Sequence, residues 1–149
     1  TGLCLVIFEP IAGIVSDRFG RRPVALISGV ALLLVTIPLF VMVTELRSVA
    51  ALYGAVAVIS VLLAFFASPI LVALAEGLPK SIRSGALAII YAVSIAIFGG
   101  SAQFVVKWLS DVTGNPLAPG WYMTLALAIG LVALALLRET APAVTGKME

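Results

Sequence analysis

Histidine is absent from these 149 residues, cysteine occurs once, at Cys4, and charged side chains make up only 11% of the chain. Each shortage excludes something. Without histidine, and without any cluster of acid and base groups, an enzyme has little to work with. No phosphate-cradling glycine loop and no metal-ligand spacing appears, so no cofactor is expected and the chain is not read as an enzyme. A lone cysteine cannot form an internal disulfide and leaves the redox compartment unread. Soluble domains carry about 25% charged and 45–50% apolar residues. Here 62% is apolar and the mean hydropathy is +1.23. Too few polar groups exist to cover a soluble core, and the composition points to a membrane protein.

The scarce charges act as fence posts. Residues 23–44, 48–75, 84–106 and 112–137 contain no Asp, Glu, Lys or Arg. A bilayer needs about 20 apolar residues per helix. Four full spans are expected, at about 24–43, 49–75, 85–106 and 120–138, preceded by a shorter one at about 2–16. These stretches are continuously apolar rather than alternating, which favours helices over strands. The expected fold is all-α, a polytopic transmembrane helix bundle over 1–138 with a tail at 139–149. The turn formers collect in "TELRS", "EGLPKSIRS" and "KWLSDVTGNPLAPG". Pro38 and Pro69 fall inside spans, where neighbouring helices can satisfy freed backbone groups. The chain has no initiator Met and opens on an apolar stretch. It reads as a piece of a longer protein, and a signal peptide fits poorly because no basic region precedes that stretch.

Five spans alternate sides. Arg18, Arg21, Arg22, Lys80, Arg83, Arg138 and Lys147 fall on one side; Arg47 and Lys107 fall on the other. By the positive-inside rule the first group is cytoplasmic. The expected location is an integral, multi-pass plasma (inner) membrane protein with its carboxy terminus in the cytoplasm. Basic groups beside the membrane serve orientation, so nucleic-acid binding is not expected.

Four charges, Asp17, Arg18, Arg21 and Arg22, crowd into six positions within "GIVSDRFGRRPV". Orientation alone does not require Gly13, Asp17 and Gly20 at fixed offsets. Gly13 permits close helix approach, Asp17 is an acceptor amid three guanidinium groups, Gly20 permits a tight turn, and Pro23 suits a helix start. The stretch resembles the signature loop of the major facilitator superfamily, Gly-x-x-x-Asp-Arg-x-Gly-Arg-Arg, at Gly13, Asp17, Arg18, Gly20, Arg21 and Arg22. That family carries the loop after its second and eighth helices. Three further spans follow here, so the chain resembles helices eight to twelve of twelve. The resemblance implies a missing amino-terminal half as partner and a latch role for the motif in alternating access. The stretches "IFGG", "TGNPLAPGWY" and "LRETAP" are similar to the metabolite:proton symporter branch, which includes citrate, 2-oxoglutarate and proline/betaine carriers. The function so implied is proton-coupled symport of a small organic acid or related metabolite. An osmolyte or sugar carrier of the same superfamily, or a non-transporting receptor or scaffold on the same fold, is the alternative. The implied partners are a small-molecule metabolite, protons and the lipid bilayer.

Glu9 is the only acidic residue inside an expected span. It sits about 10 Å in from the cytoplasmic end, counting 1.5 Å per residue. An intramembrane carboxylate is costly and usually functional. Glu9 is therefore either a proton or substrate site or a structural partner for an arginine in another helix. Gly2, Glu9, Gly13 and Ser16 form a small or polar stripe, with Leu3, Ile7, Ile11 and Ile14 opposite. The fourth span offers Tyr91, Ser94 and Gln103 as further proton or substrate candidates, alongside Ser101, which shares one face approximately with Tyr91 and Ser94. Interhelical hydrogen bonding is the competing role for all of them. Gly99 and Gly100 allow close packing or bending. Trp108, Trp121 and Tyr122 read as interfacial anchors. The sidedness is testable in the full-length protein. A cysteine placed by Ser81→Cys should be labelled by an impermeant maleimide only from the cytoplasmic face, and one placed by Asn115→Cys only from the opposite face.

Overall fold

The computed structural model describes residues 2–136. The expected tail at 139–149, with Arg138 and Lys147, lies outside the described residues, as does the end of the last expected span. The described residues form six α-helices: α1 (Gly2–Phe19), α2 (Arg21–Leu46), α3 (Val49–Gly77), α4 (Arg83–Ser94), α5 (Gly100–Thr113) and α6 (Ala118–Leu136). A π-helical turn, Ile95–Gly99, joins α4 directly to α5, so the two make one long rod. Four helices are long and apolar enough to cross a membrane: α2, α3, the α4–α5 rod and α6. The α1 helix carries Glu9, Asp17 and Arg18 and is not among the four. The chain is an all-helical membrane bundle.

Local chemistry sets the helix ends. Gly20 alone separates α1 from α2, at φ 99°, a left-handed conformation that glycine adopts without steric cost. Its N–H donates to the Ser16 carbonyl at 3.0 Å. Arg47 ends α2 in the left-handed region, and Ser48 caps α3 by accepting the Ala51 N–H at 3.1 Å. The Arg83 guanidinium donates to the Leu78 carbonyl at 3.1 Å, bracing the turn that follows α3. Gly114, at φ 62°, closes α5. The Asn115 carboxamide then accepts the Leu117 N–H at 2.9 Å, an Asx turn leading into α6. This last connection is shorter than its composition suggests. Lys107 and Asp111 look like a boundary in sequence, but their side chains pair across one helical turn at 2.7 Å, so α5 runs on through them. Pro119 sits in the first turn of α6, where its missing N–H costs nothing.

The core is made by α1, α2, α3 and α6. Helix α2 packs against both α3 and α6, and α1 packs on α3 and α2. Small residues let the backbones approach: Ala12, Ala25, Ala55, Ala64 and Ala118 are buried, with Leu32, Leu127 and Leu134 filling between them. Buried hydroxyls bond to their own helices. Ser28 donates to the Val24 carbonyl at 2.7 Å, Thr36 to Leu32 at 2.6 Å and Ser60 to Val56 at 2.6 Å, as a medium without water requires. The rod lies outside this core. Its α5 half packs on α6, its α4 half makes only a small contact with α3, and none of its residues is buried.

Gly29 is the tightest point. A β-carbon there would lie 2.7 Å from a Leu131 methyl and 2.8 Å from the Phe66 ring. Gly29→Val should therefore cost about 1–3 kcal/mol through overpacking, read as a lowered Tm in detergent. Gly54→Val should leave Tm unchanged, because nothing lies within 4 Å of a β-carbon at Gly54.

Candidate functional site

The basic hairpin is assembled around Arg21. This side chain is 6% exposed and sits at the first position of α2. One guanidinium nitrogen contacts Asp17 of α1 at 3.0 Å, and another pairs with Glu76 near the end of α3. One buried cation thus joins the ends of three helices. Arginine suits this task because its planar fork serves two acceptors at once and stays charged. Arg22, half-buried, donates to the Ala135 carbonyl in α6. The two adjacent arginines together tie α2 to α1, α3 and α6. Arg18 projects from the outer face of α1 and is exposed.

Glycine and serine make room for this arrangement. Gly13 faces Ser68 of α3; a β-carbon there would lie 3.8 Å from the Ser68 hydroxyl. Ser16 is fully buried and bonds to the Gly13 carbonyl at 2.8 Å. The sequence motif is therefore a physical unit. Gly13 and Ser16 seat α1 on α3, Gly20 turns the chain, and Asp17 with Arg21 locks the turn. Glu76 was missed by sequence reasoning, which looked for further partners of these arginines in the missing amino-terminal half. A signal existed: Glu76 opens "EGLPKSIRS", the loop assigned to the same membrane side as the arginines.

Glu9 lies away from this clamp. Its carbonyl accepts the Ser68 hydroxyl at 3.2 Å, while the residue itself is exposed on the flank of α1. The small and polar stripe of α1 is thus divided. Gly13 and Ser16 pack, whereas Gly2 and Glu9 do not, and Leu3, Ile7, Ile11 and Ile14 all face outward. Tyr91, Ser94 and Gln103 lie on the rod and are exposed. The structure brings neither them nor Glu9 into the clamp. Among the described residues there are two groups, a charged knot at one end of the bundle and uncovered polar side chains along the rod and α1.

Comparison with known proteins gives these groups a context. The family model described as Major Facilitator Superfamily matches residues 1–147. The chain is 28% identical over 137 residues to the proline/betaine transporter of Escherichia coli (strain K12), covering 92% of this chain and 27% of that protein. It is 33% identical over 135 residues to the alpha-ketoglutarate permease of the same strain, covering 90% of this chain and 31% of the relative. To the citrate-proton symporter of Klebsiella pneumoniae it is 29% identical over 124 residues, covering 83% and 28%. The chain thus spans less than a third of the length of these relatives. No solved structure matches it.

The clamp generates a ranked prediction. Glu76 is the better shielded carboxylate, with 32% of its side chain exposed against 58% for Asp17. Glu76→Gln should cost about 1–3 kcal/mol, because it leaves a buried guanidinium short of charge. Asp17→Asn should cost less than about 1 kcal/mol, as exposed helix pairs do. Thermal unfolding of both variants in detergent checks the order.

Proposed function

The chain belongs to the Major Facilitator Superfamily, and we propose that it forms part of the carboxy-terminal half of a proton-coupled symporter for a small carboxylate metabolite. The observation that carries this reading is the similarity, over most of the chain, to transporters and permeases of proline/betaine, alpha-ketoglutarate and citrate. Those solutes share a carboxylate. An organic acid is the principal reading, and a betaine-type osmolyte is the alternative that the same relatives favour.

In this mechanism two helical halves rock around a site between them. The clamp of Asp17, Arg21 and Glu76 holds the α1–α2–α3 ends as one rigid unit on the cytoplasmic side. Arg18, exposed there, is the motif cation that meets the other half, so the latch closes and opens as the halves rock. Proton entry supplies the drive; one charge crossing 100 mV contributes about 2.3 kcal/mol. Glu9 is the coupling carboxylate in this reading. It is exposed on the flank of α1, away from the clamp.

The test uses the full-length protein in proteoliposomes under an imposed inward proton gradient, with labelled citrate, 2-oxoglutarate and betaine. Accumulation of one of them that collapses with a protonophore is the expected result. Glu9→Gln should abolish gradient-driven accumulation and keep exchange of internal for external solute. Correctly inserted protein that accumulates none of the three would overturn the proposal.

A further inference from the structure

We infer that Ser68 is a positioning residue for Glu9, holding the coupling carboxylate in place against α3 through a hydrogen bond to the Glu9 backbone; this rests on the carrier reading above. The Ser68 hydroxyl in α3 donates to the Glu9 carbonyl in α1 at 3.2 Å, across 59 positions of the chain. The other hydroxyls of the bundle behave differently. Ser16, Ser28, Thr36, Thr44, Ser60 and Thr124 each donate to a carbonyl three or four residues back in their own helix. A serine within a helix has that option, and Ser68 does not take it. Among the described residues, its hydroxyl is the one that crosses from helix to helix.

The bond lands where α1 is weakest. Pro10 lies inside α1 and directly follows Glu9. Proline has no N–H to give the Val6 carbonyl, and its ring disfavours helical backbone at the residue before it. Both losses fall beside Glu9. Burial divides α1 at the same place. Its buried residues, Ala12 and Ser16, follow Pro10, while the described residues before Pro10 are at best half-buried. The stretch that ends on Glu9 is thus loosely seated, and the Ser68 hydroxyl fastens its end to α3. The donor side is firm. Ser68 is half-buried, and Pro69 beside it is fully buried. Gly13, one turn beyond Glu9, keeps the approach open. A β-carbon there would already lie 3.8 Å from the Ser68 hydroxyl, and a longer side chain would crowd it.

The helices around α1 offer no charge to do this instead. Helix α1 packs on α2 and α3, and residues 23–44 and 48–75 contain no Asp, Glu, Lys or Arg. The charged groups of those two helices, Arg21, Arg22, Glu45 and Glu76, stand at their ends, and Arg21 is paired with Glu76. Where no ion pair from these helices fixes a carboxylate, its backbone must. The Glu9 carbonyl carbon is bonded to the Cα that bears the side chain, so a shift of that peptide carries the carboxylate with it. A functional group has to be held to within about 0.5 Å by the groups that support it. Ser68 supplies that support from the neighbouring helix.

The experiment uses the full-length protein in proteoliposomes, with Ser68→Ala and Ser68→Thr beside wild type and Glu9→Gln. Two quantities are read: accumulation of labelled 2-oxoglutarate, citrate or betaine under an inward proton gradient, and exchange of internal for external solute. Ser68→Ala should accumulate about tenfold less, the loss of one hydrogen bond, with exchange unchanged. Ser68→Thr, which keeps the hydroxyl, should restore accumulation. Accumulation unchanged in Ser68→Ala, an equal fall in exchange, or no rescue by Ser68→Thr would overturn the positioning role. So would accumulation retained by Glu9→Gln, which removes the group to be positioned. The bond itself is read from the backbone carbonyl carbon resonance of Glu9 in protein grown on isotope-labelled glutamate, assigned by its loss in Glu9→Gln. It should move upfield in Ser68→Ala and stay in place in Ser68→Thr; a resonance that does not move in Ser68→Ala overturns the tie. Wild type that accumulates none of the three solutes overturns the carrier reading and the coupling role with it, while the carbonyl resonance still decides the tie.

Discussion

A guanidinium buried at the rim of a membrane bundle is the contact on which the rest of this structure depends. Arg21 occupies a position where an unpaired charge would be prohibitive, and it is tolerated because Asp17 and Glu76 reach it from two other helices. The consequence is geometric. Helices α1, α2 and α3 cannot separate at this end without exposing or orphaning a charge. Their registers are fixed there, and the small residues further along the bundle then meet at the distances that Gly29 and Ala64 require.

The rod stands in contrast. It is tied to the bundle through α5 and α6 and is nowhere buried. The bundle proper bonds its buried hydroxyls of Ser28, Thr36 and Ser60 to its own carbonyls, as a hydrocarbon medium demands. The rod carries Tyr91, Ser94 and Gln103 uncovered. A molecule with one locked end and one uncovered polar rod suits a process in which the lock defines a rigid unit and the rod meets something that comes and goes.

Much of this was legible in the sequence, for physical reasons that can be named. Charge is so costly inside a bilayer that its gaps mark α2, α3, the rod and α6. The spacing of Gly13, Asp17, Gly20 and Arg21 marks the hairpin because each position has a steric or electrostatic requirement. What escaped depends on partners distant in the chain or on backbone registration. Glu76 pairs with Arg21 across 55 positions, which local spacing cannot reveal. Lys107 and Asp111 suggested a helix end because charge was taken as a boundary, yet an i,i+4 pair lets a helix continue through it. The π turn at Ile95–Gly99 leaves no compositional mark beyond Gly99 and Gly100.

The arginine-rich hairpin is a three-helix clamp and not merely an orientation signal. A double-mutant cycle tests it most directly, with Arg21→Met, Glu76→Leu and the combined variant of the full-length protein compared by unfolding in detergent. A clamp predicts a coupling of at least about 1 kcal/mol, with the double variant losing less than the sum of the singles. Strict additivity, with topology intact in all three variants, would contradict the clamp and return the hairpin to the role of a topology signal.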